Sequence, residues 1–87
     1  MKWVVEFELK AAKAFEKLDK AVQRRIGAEI DRLAGLDNPK QYAKPLRGSL
    51  SDLCRFRVGD YRVICQIENA MLKILVVKVA HRRDVYK

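Results

Sequence analysis

Residues 53–67 decide the fold, and they read LCRFRVGDYRVICQI. Two runs rich in β-forming residues flank Gly59-Asp60, a dipeptide typical of a tight two-residue turn. Each run is long enough for a strand, and the turn leaves no room for a crossover connection. The stretch therefore predicts a β-hairpin in which Val58 is opposite Tyr61.

The register of this hairpin divides its side chains between two faces. One face is apolar and includes Cys54 opposite Cys65, whereas the other carries Arg55, Arg57 and Arg62. Arg57 lies directly opposite Arg62. Like charges paired across strands lower the stability of a hairpin by roughly several tenths of a kcal/mol. The cluster therefore indicates that an anion normally binds among these guanidinium groups.

Upstream of the hairpin, the hydrophobic spacing predicts one strand and two helices. A period of two at the N-terminus predicts a half-buried strand, with one face formed by Trp3, Val5 and Phe7. A short helix from about residue 10 has apolar positions at Ala12, Phe15 and Leu18. Asp19 then serves as the N-cap of a second helix, whose apolar stripe is Val22, Ile26, Ile30 and Leu33. Gly35 ends that helix, and residues 36–51 are expected to form a connecting loop.

Downstream of the hairpin, Met71–Val79 is predicted to be a further strand. If Asn69-Ala70 is a two-residue turn, Val77 is opposite Arg62 and the C-terminal tail emerges at the hairpin end of the sheet. The expected fold is a single α+β domain over residues 1–87, of order β-α-α-β-β-β. Its two N-terminal helices pack on one face of a mainly antiparallel four-stranded sheet.

The composition is that of a small basic globular protein. The chain has 87 residues, 49% hydrophobic and 34% charged, with a net charge of +8. Residues 1–43 hold nine Lys and Arg against seven acidic residues, and residues 44–87 hold ten against four. The positive field therefore lies mainly in the second half, and nucleic acid is its commonest partner.

Other classes of function find little support in the sequence. No apolar run approaches the roughly 20 residues that span a bilayer, so we expect a cytoplasmic protein with no membrane contact. Cys54 and Cys65 are expected to be reduced thiols in the core. We find no metal-ligand spacing, carboxylate pair, phosphate-binding loop or nucleophilic triad, and we expect neither a metal nor a cofactor.

The C-terminal tail contains groups suited to acid–base chemistry. Its residues Ala80-His81-Arg82-Arg83-Asp84-Val85-Tyr86 bring an imidazole, two guanidinium groups and a phenol to the hairpin end of the sheet. Guanidinium groups can hold a phosphate and stabilise the charge that develops on it. His81 and Tyr86 are the two tail residues with plausible acid–base reach, so one patch is expected to gather both beside Arg57 and Arg62.

Three segments of the chain together resemble the RelE family of bacterial and archaeal toxins. They are Lys44-Pro45-Leu46-Arg47-Gly48, the hairpin 53–64, and the tail 79–86. Each motif is weak alone, but their order and spacing match the family over nearly the whole chain. The resemblance implies a RelE-like toxin domain with the fold predicted above.

The resemblance implies a metal-independent, ribosome-dependent endoribonuclease that cuts mRNA in the ribosomal A site. In such an enzyme the 2′-hydroxyl attacks its own phosphodiester, which leaves a 2′,3′-cyclic phosphate and a 5′-hydroxyl. By the family pattern Tyr86 is the base, and Arg62 and Arg82 hold the scissile phosphate. Arg55 and Arg57 fall where relatives carry basic residues for phosphate contact and acid roles.

Two further implications concern the acid and the partners. Arginine is a poor proton donor, so the acid for the leaving oxygen is expected to be His81 or a water molecule. Lys44, Arg47 and Arg83 are expected to contact mRNA or the ribosomal RNA. A RelB-like antitoxin with an acidic segment is expected to neutralise the toxin, and operator DNA is expected to bind only through that complex.

Two alternatives stay open at this stage. A related ParE-type toxin shares the fold but inhibits DNA gyrase, whereas the combination of His81-Arg82 with Val85-Tyr86 favours the nuclease. A non-catalytic RNA-binding or DNA-binding module would show salt-sensitive binding without strand scission.

Overall fold

A computed structural model describes residues 2–45 and 53–84 of the chain. Within these ranges the strands are β1 (Val4–Phe7), β2 (Lys44–Pro45), β3 (Leu53–Val58), β4 (Tyr61–Glu68) and β5 (Lys73–His81). The α-helices are α1 (Leu9–Glu16) and α2 (Lys20–Ala34), and two short 3-10 helices span Pro39–Tyr42 and Asn69–Met71.

The strands form one sheet in the order β1-β5-β4-β3-β2. β1 runs parallel to β5, and the other neighbours are antiparallel. The α+β class and the mainly antiparallel sheet are therefore confirmed. The strand count differs, because the described residues form five strands and not four. The additional strand β2 comes from the predicted loop, where Lys44 is opposite Arg55. β2 was not predicted because a segment of two residues is too short to show the alternating pattern of a strand, and one of the two is a proline at the sheet edge.

The helices begin and end close to the predicted residues. Asp19 caps α2, and its Oδ2 accepts a hydrogen bond of 3.2 Å from the backbone amide of Ala21. Gly35 is the C-cap of α2, as expected. α1 ends at Glu16, so Leu18 lies in the short connection between the helices and packs against the core from there.

One hydrophobic core lies between the helices and one face of the sheet, called here the helix side. The buried residues of α2 pack there against side chains of all four longer strands. Trp3 lies at the edge of this core, and its indole Nε1 donates a 2.8 Å hydrogen bond to the carbonyl of Leu36. Cys54 and Cys65 are both buried here and form no disulfide with each other, and burial raises the pKa of Cys65 to about 12.

The predicted register of the β3–β4 hairpin is confirmed. Val58 is opposite Tyr61, and Arg57 is opposite Arg62. Gly59 takes up the turn with a φ of 58°, a conformation that residues with a Cβ rarely adopt. The hairpin therefore presents the apolar face to the helices and the opposite face, called here the arginine face, carries Arg55, Arg57 and Arg62.

The predicted register of β5 against β4 is wrong. Arg62 is opposite Ala80 and not Val77, a difference of three residues. The connection is longer than the expected two-residue turn, because the 3-10 helix Asn69–Met71 is followed by Leu72 in the left-handed region. A further irregularity lies between Ile64 and Cys65. Because of these two features, the pairing of β5 with β4 is shifted relative to the prediction. His81 is therefore the cross-strand partner of Tyr61.

In the described part of the chain, no helix combines the length and apolar character needed to cross a membrane.

Candidate functional site

The arginine face is built from cross-strand rows that end at the β3–β4 turn. The row nearest the turn contains Arg57, Arg62 and Ala80. The next row contains Lys44, Arg55, Ile64 and Lys78. Because side chains of paired residues project to the same face, strand pairing places four cationic residues from β2, β3 and β4 side by side.

These cations line a cavity of about 140 Å³ on the arginine face. Its lining residues, which together we call the arginine cavity, are Tyr42, Lys44, Arg55, Arg57 and Arg62. None of these described residues carries a carboxylate, so the lining that the structure describes has a net positive charge. A cavity with this lining suits a phosphate group, which guanidinium groups can bind in a bidentate manner.

The backbone of the turn positions Arg62 within the cavity. Its Nη1 donates to the carbonyl oxygens of Tyr61 at 3.2 Å and of Gly59 at 3.5 Å. Both contacts use one nitrogen of the guanidinium and end on backbone oxygens rather than on a carboxylate. The other nitrogens take no part in these two contacts and can donate to an anion.

Acidic residues of the sheet lie at the opposite end. Lys73 contacts Glu6 at 3.4 Å and Glu68 at 3.3 Å, across β1, β4 and β5. Hydrogen bonds to Glu68 and then to Glu6 raise the pKa of Lys73 above its ordinary value. These two carboxylates therefore balance a lysine far from the β3–β4 turn, and the positive field is concentrated at the arginine cavity.

The start of the C-terminal tail also lies at the hairpin end of the sheet. The amide of Arg82 donates a 2.7 Å hydrogen bond to the carbonyl of Asp60, which continues the ladder past β5. The chain then turns, since the amide of Asp84 donates to the carbonyl of His81 at 2.8 Å. Arg82 and Arg83 are exposed and near this end, but neither lines the arginine cavity.

His81 lies on the helix side of the sheet and not on the arginine face. Its ring contacts the edge of the Tyr61 ring at a centroid distance of 5.4 Å, and Tyr61 packs against the core. Its Nδ1 accepts a hydrogen bond of 3.4 Å from the amide of Arg83. His81 is therefore not part of the patch that was expected to gather it with Arg57 and Arg62, because the corrected register of β5 places it beside Tyr61.

Tyr42 is the cavity residue that the sequence prediction missed. It ends the 3-10 helix Pro39–Tyr42, inside the segment predicted to be a loop. Its ring lies under the guanidinium of Arg32, with Cζ 5.1 Å from the ring centroid. The available signal was an aromatic residue between Lys40 and Lys44, immediately before a motif of the family resemblance.

A second basic groove adjoins the arginine cavity. It has a volume of about 530 Å³ and shares Arg57 with the cavity; its lining is Arg25, Ala28, Glu29, Arg32, Arg57, Val58 and Gly59. Three arginines and one glutamate line this groove, so it is also positively charged. The basic surface therefore runs from α2 across the hairpin to the arginine face.

Two predicted site residues, Arg47 and Tyr86, lie outside the described residues. Of the other seven, the structure brings Lys44, Arg55, Arg57 and Arg62 into one cavity. Arg82 and Arg83 lie near the same end of the sheet, and His81 faces the helix side.

Comparison with known proteins places the chain among toxins. Residues 5–86 match the sequence model of a family described as the ParE toxin of the type II toxin–antitoxin system parDE. A RelE-like toxin protein of Escherichia coli is 33% identical over 90 aligned positions, which cover 99% of this chain and 92% of the relative. The toxin RelE of Mycobacterium tuberculosis is 31% identical over 78 positions, with coverage of 87% and 80%.

A solved structure supports the same grouping. The RelE–RelB complex from the archaeon Pyrococcus horikoshii contains a chain that superposes on this one with a TM-score of 0.78. The two chains are 31% identical, and the match covers 98% of this chain and 100% of the other.

Proposed function

This chain belongs to the RelE/ParE family, as a RelE-like toxin of a type II toxin–antitoxin system, and we propose that it is a metal-independent endoribonuclease that cuts mRNA in the ribosomal A site. The observation that carries the proposal is the arginine cavity, whose described lining has four cationic side chains and, among those described residues, no carboxylate. The cavity is too small to orient a substrate alone. The ribosome would hold the mRNA in the required geometry and so lower the entropic part of the barrier.

The proposed reaction is an internal transfer at phosphorus. The 2′-oxygen forms a bond to the adjacent phosphorus, and the bond from phosphorus to the 5′-oxygen breaks. A base takes the proton of the 2′-hydroxyl, and an acid protonates the leaving 5′-oxygen. The products are a 2′,3′-cyclic phosphate and a 5′-hydroxyl, so no water is consumed in the cleavage step.

The arginines supply the electrostatic part of this mechanism. In the proposal Arg62 holds the scissile phosphate from within the arginine cavity, Arg82 reaches it from the turn after β5 at the same end of the sheet, and Tyr86 is the base. Arg55 and Arg57 add positive charge where the phosphorane becomes more negative. The same field favours the phenolate form of a tyrosine that approaches the cavity, which makes proton removal from the 2′-hydroxyl easier.

The acid for the leaving oxygen is either a water molecule or His81. A guanidinium stays protonated up to about pH 12, so the arginines of the cavity are poor donors. The imidazole of His81 packs against Tyr61 on the other side of the sheet. This placement favours water, and the pH dependence of the rate can separate the two.

Contacts around the scissile phosphate would come from the neighbouring basic residues. Lys44 lines the cavity and Arg83 lies in the turn after β5, so both can contact RNA on either side of the phosphate. Arg47 is proposed for the same role. Because these contacts are mainly ionic, binding should weaken steeply as salt increases.

The proposed partner is a RelB-like antitoxin with an acidic, amphipathic segment. The RelE of Pyrococcus horikoshii was solved with RelB, and this chain is 31% identical to it. A groove of about 340 Å³ between α1 and β5 offers small apolar side chains flanked by Lys10 and Lys78. Such a groove suits an amphipathic helix with acidic residues along its rim. Operator DNA would then bind through the antitoxin complex.

The second candidate function is inhibition of DNA gyrase. It is favoured by the description of the matching family, which names ParE. A gyrase inhibitor needs no cluster of arginines around a phosphate, so the arginine cavity favours the nuclease.

The proposal is tested by adding purified toxin to ribosomes programmed with a defined mRNA. We expect cuts within the A-site codon, 5′-hydroxyl and 2′,3′-cyclic phosphate ends, and no cutting of the same mRNA without ribosomes. Gyrase supercoiling is measured with the same preparation. Intact mRNA with inhibited gyrase would replace the nuclease with the second candidate, and RNA binding without either activity would indicate a non-catalytic module.

A further inference from the structure

We propose that Tyr42 is a stacking platform for a base of the RNA whose phosphate lies in the arginine cavity. The inference rests on the proposed function and adds a positioning residue to it. Among the described residues of the lining, Tyr42 is the one aromatic, beside Lys44 and three arginines. This combination matches the general design of single-strand binding sites, in which cations hold the backbone and aromatic rings stack on bases.

The ring of Tyr42 contacts an ion pair of α2. Glu29 binds Arg32 through a 2.5 Å contact from Nη2 to Oε1, and Arg32 Nε lies 3.2 Å from both carboxylate oxygens. The guanidinium of Arg32 lies over the Tyr42 ring at 5.1 Å. This contact restricts the ring on one side, which reduces the conformational entropy that is lost when a base binds.

The ring also has surface left for a ligand. Tyr42 is 54% exposed even though Arg32 covers part of it. A tyrosine that served only the core would be buried like Trp3, which is 3% exposed. The exposed aromatic surface adjoins the cations of the cavity, so a nucleotide whose phosphate binds there has its base within reach of the ring.

The size of the cavity supports the same conclusion. At about 140 Å³ it is a small cavity that would hold a phosphate but not an entire nucleotide. The sugar and base must therefore lie along the rim. Of the described residues in the lining, only Tyr42 offers an aromatic face there.

The substitutions that test this proposal separate the ring from its hydroxyl. Tyr42→Leu removes the ring, whereas Tyr42→Phe and Tyr42→Trp keep an aromatic face. We expect Tyr42→Leu to weaken binding of a short fluorescent single-stranded RNA by about 5- to 150-fold, the range for loss of one base–aromatic stack. Tyr42→Phe and Tyr42→Trp should bind within about twofold of wild type. Thermal unfolding of each variant shows whether the fold is retained.

An abasic RNA identifies the contact directly. Bases are removed from the RNA one at a time. At the position that stacks on Tyr42, removal of the base should lower the affinity of wild-type toxin, whereas the affinity of Tyr42→Leu should stay the same. Tyr42→Leu and the abasic RNA are also compared with wild type on programmed ribosomes, where KM and kcat for cleavage are measured. We expect loss of the stacking contact to raise KM and to leave kcat nearly unchanged.

The outcomes distinguish this inference from the proposed function. If the wild-type protein binds RNA through Tyr42 but cuts no mRNA, the proposed nuclease activity is excluded and the stacking role of Tyr42 stays supported. A folded Tyr42→Leu variant that equals wild type in both RNA binding and KM would overturn the platform, even if the nuclease is active. Equal losses in Tyr42→Phe and Tyr42→Leu would assign the effect to the hydroxyl and would also overturn it. If the wild-type toxin binds RNA neither in solution nor on the ribosome, the stacking role of Tyr42 is likewise overturned.

Discussion

Arg57 and Arg62 lie directly opposite each other on adjacent antiparallel strands, beside the turn that joins them. Both line the arginine cavity, and none of the described residues of its lining is a carboxylate that would separate them. Opposed like charges destabilise a hairpin, so this arrangement lowers the stability of the free protein. An anion bound between the two guanidinium groups would relieve this repulsion.

This pair predicts opposite changes in stability and activity for Arg57→Thr. Threonine favours strands and removes the repulsion, so we expect the free energy of unfolding to rise by about 0.2–1 kcal/mol. Cleavage on programmed ribosomes should fall at the same time. Urea unfolding and a single-turnover cleavage assay measure the two effects.

Arg24→Gln is the matched control for this experiment, because Arg24 is exposed on α2 and does not line the arginine cavity. It removes one positive charge from the protein without touching the hairpin. A gain in stability for Arg24→Gln equal to that for Arg57→Thr would assign the effect to net charge and contradict the pairwise explanation.

The position of His81 predicts a small effect of His81→Gln on the pH dependence of cleavage. The imidazole packs on Tyr61 at the helix side and does not line the arginine cavity. We therefore expect the pH–rate profile of the variant to keep its shape. Loss of the limb that reports the acid would instead assign the proton donor to His81.

Burial of Cys65 predicts a loss of stability at alkaline pH. Burial, with a smaller contribution from nearby Cys54, raises the pKa of the Cys65 thiol from 9.0 to about 12. Between these values the unfolded chain releases the thiol proton and the folded protein retains it, so unfolding becomes easier as pH rises. In this pH range the free energy of unfolding should fall by roughly 1 kcal/mol per pH unit.

The contribution of this thiol is isolated by comparison with Cys65→Ala. The variant starts from a lower stability because it leaves a small cavity, but its free energy of unfolding should fall less steeply above pH 9.0. Identical slopes for the two proteins would show that the folded-state thiol titrates normally.

Leu72 predicts a stabilising substitution in the connection between β4 and β5. It has a φ of 48° and is 45% exposed, so it combines an unfavourable backbone conformation with little burial. Asparagine tolerates the left-handed region better, and we expect Leu72→Asn to raise the free energy of unfolding by roughly 0.5–1 kcal/mol. Thermal and urea unfolding test this, and an unchanged or lower stability would show that packing of the leucine outweighs the strain.

The parts of the fold that the sequence predicted are those with strong local signals. Gly59-Asp60 sets the hairpin register, because a two-residue turn fixes which residues are opposite each other. Asp19 and Gly35 mark the ends of α2 for similarly local reasons. From the hairpin register alone it follows that Arg55, Arg57 and Arg62 share a face.

The parts that were missed depend on contacts distant in sequence. β2 is two residues long and exists because Lys44 and Pro45 pair with β3. The register of β5 depends on a turn that includes a leucine in an unfavourable conformation, which propensity argues against. The positions of His81 and Tyr42 follow from these two features, so neither could be placed correctly from the sequence.

Single-turnover cleavage on programmed ribosomes shows whether the arginine cavity holds the scissile phosphate. Wild type, Arg62→Ala, Tyr86→Phe and the control Arg24→Gln are compared at saturating toxin, with 5′-ends mapped for each. We expect a loss of roughly 10²–10³ for Arg62→Ala and 10²–10⁴ for Tyr86→Phe, with Arg24→Gln close to wild type. Cleavage by a folded Arg62→Ala variant at the wild-type rate would contradict the claim.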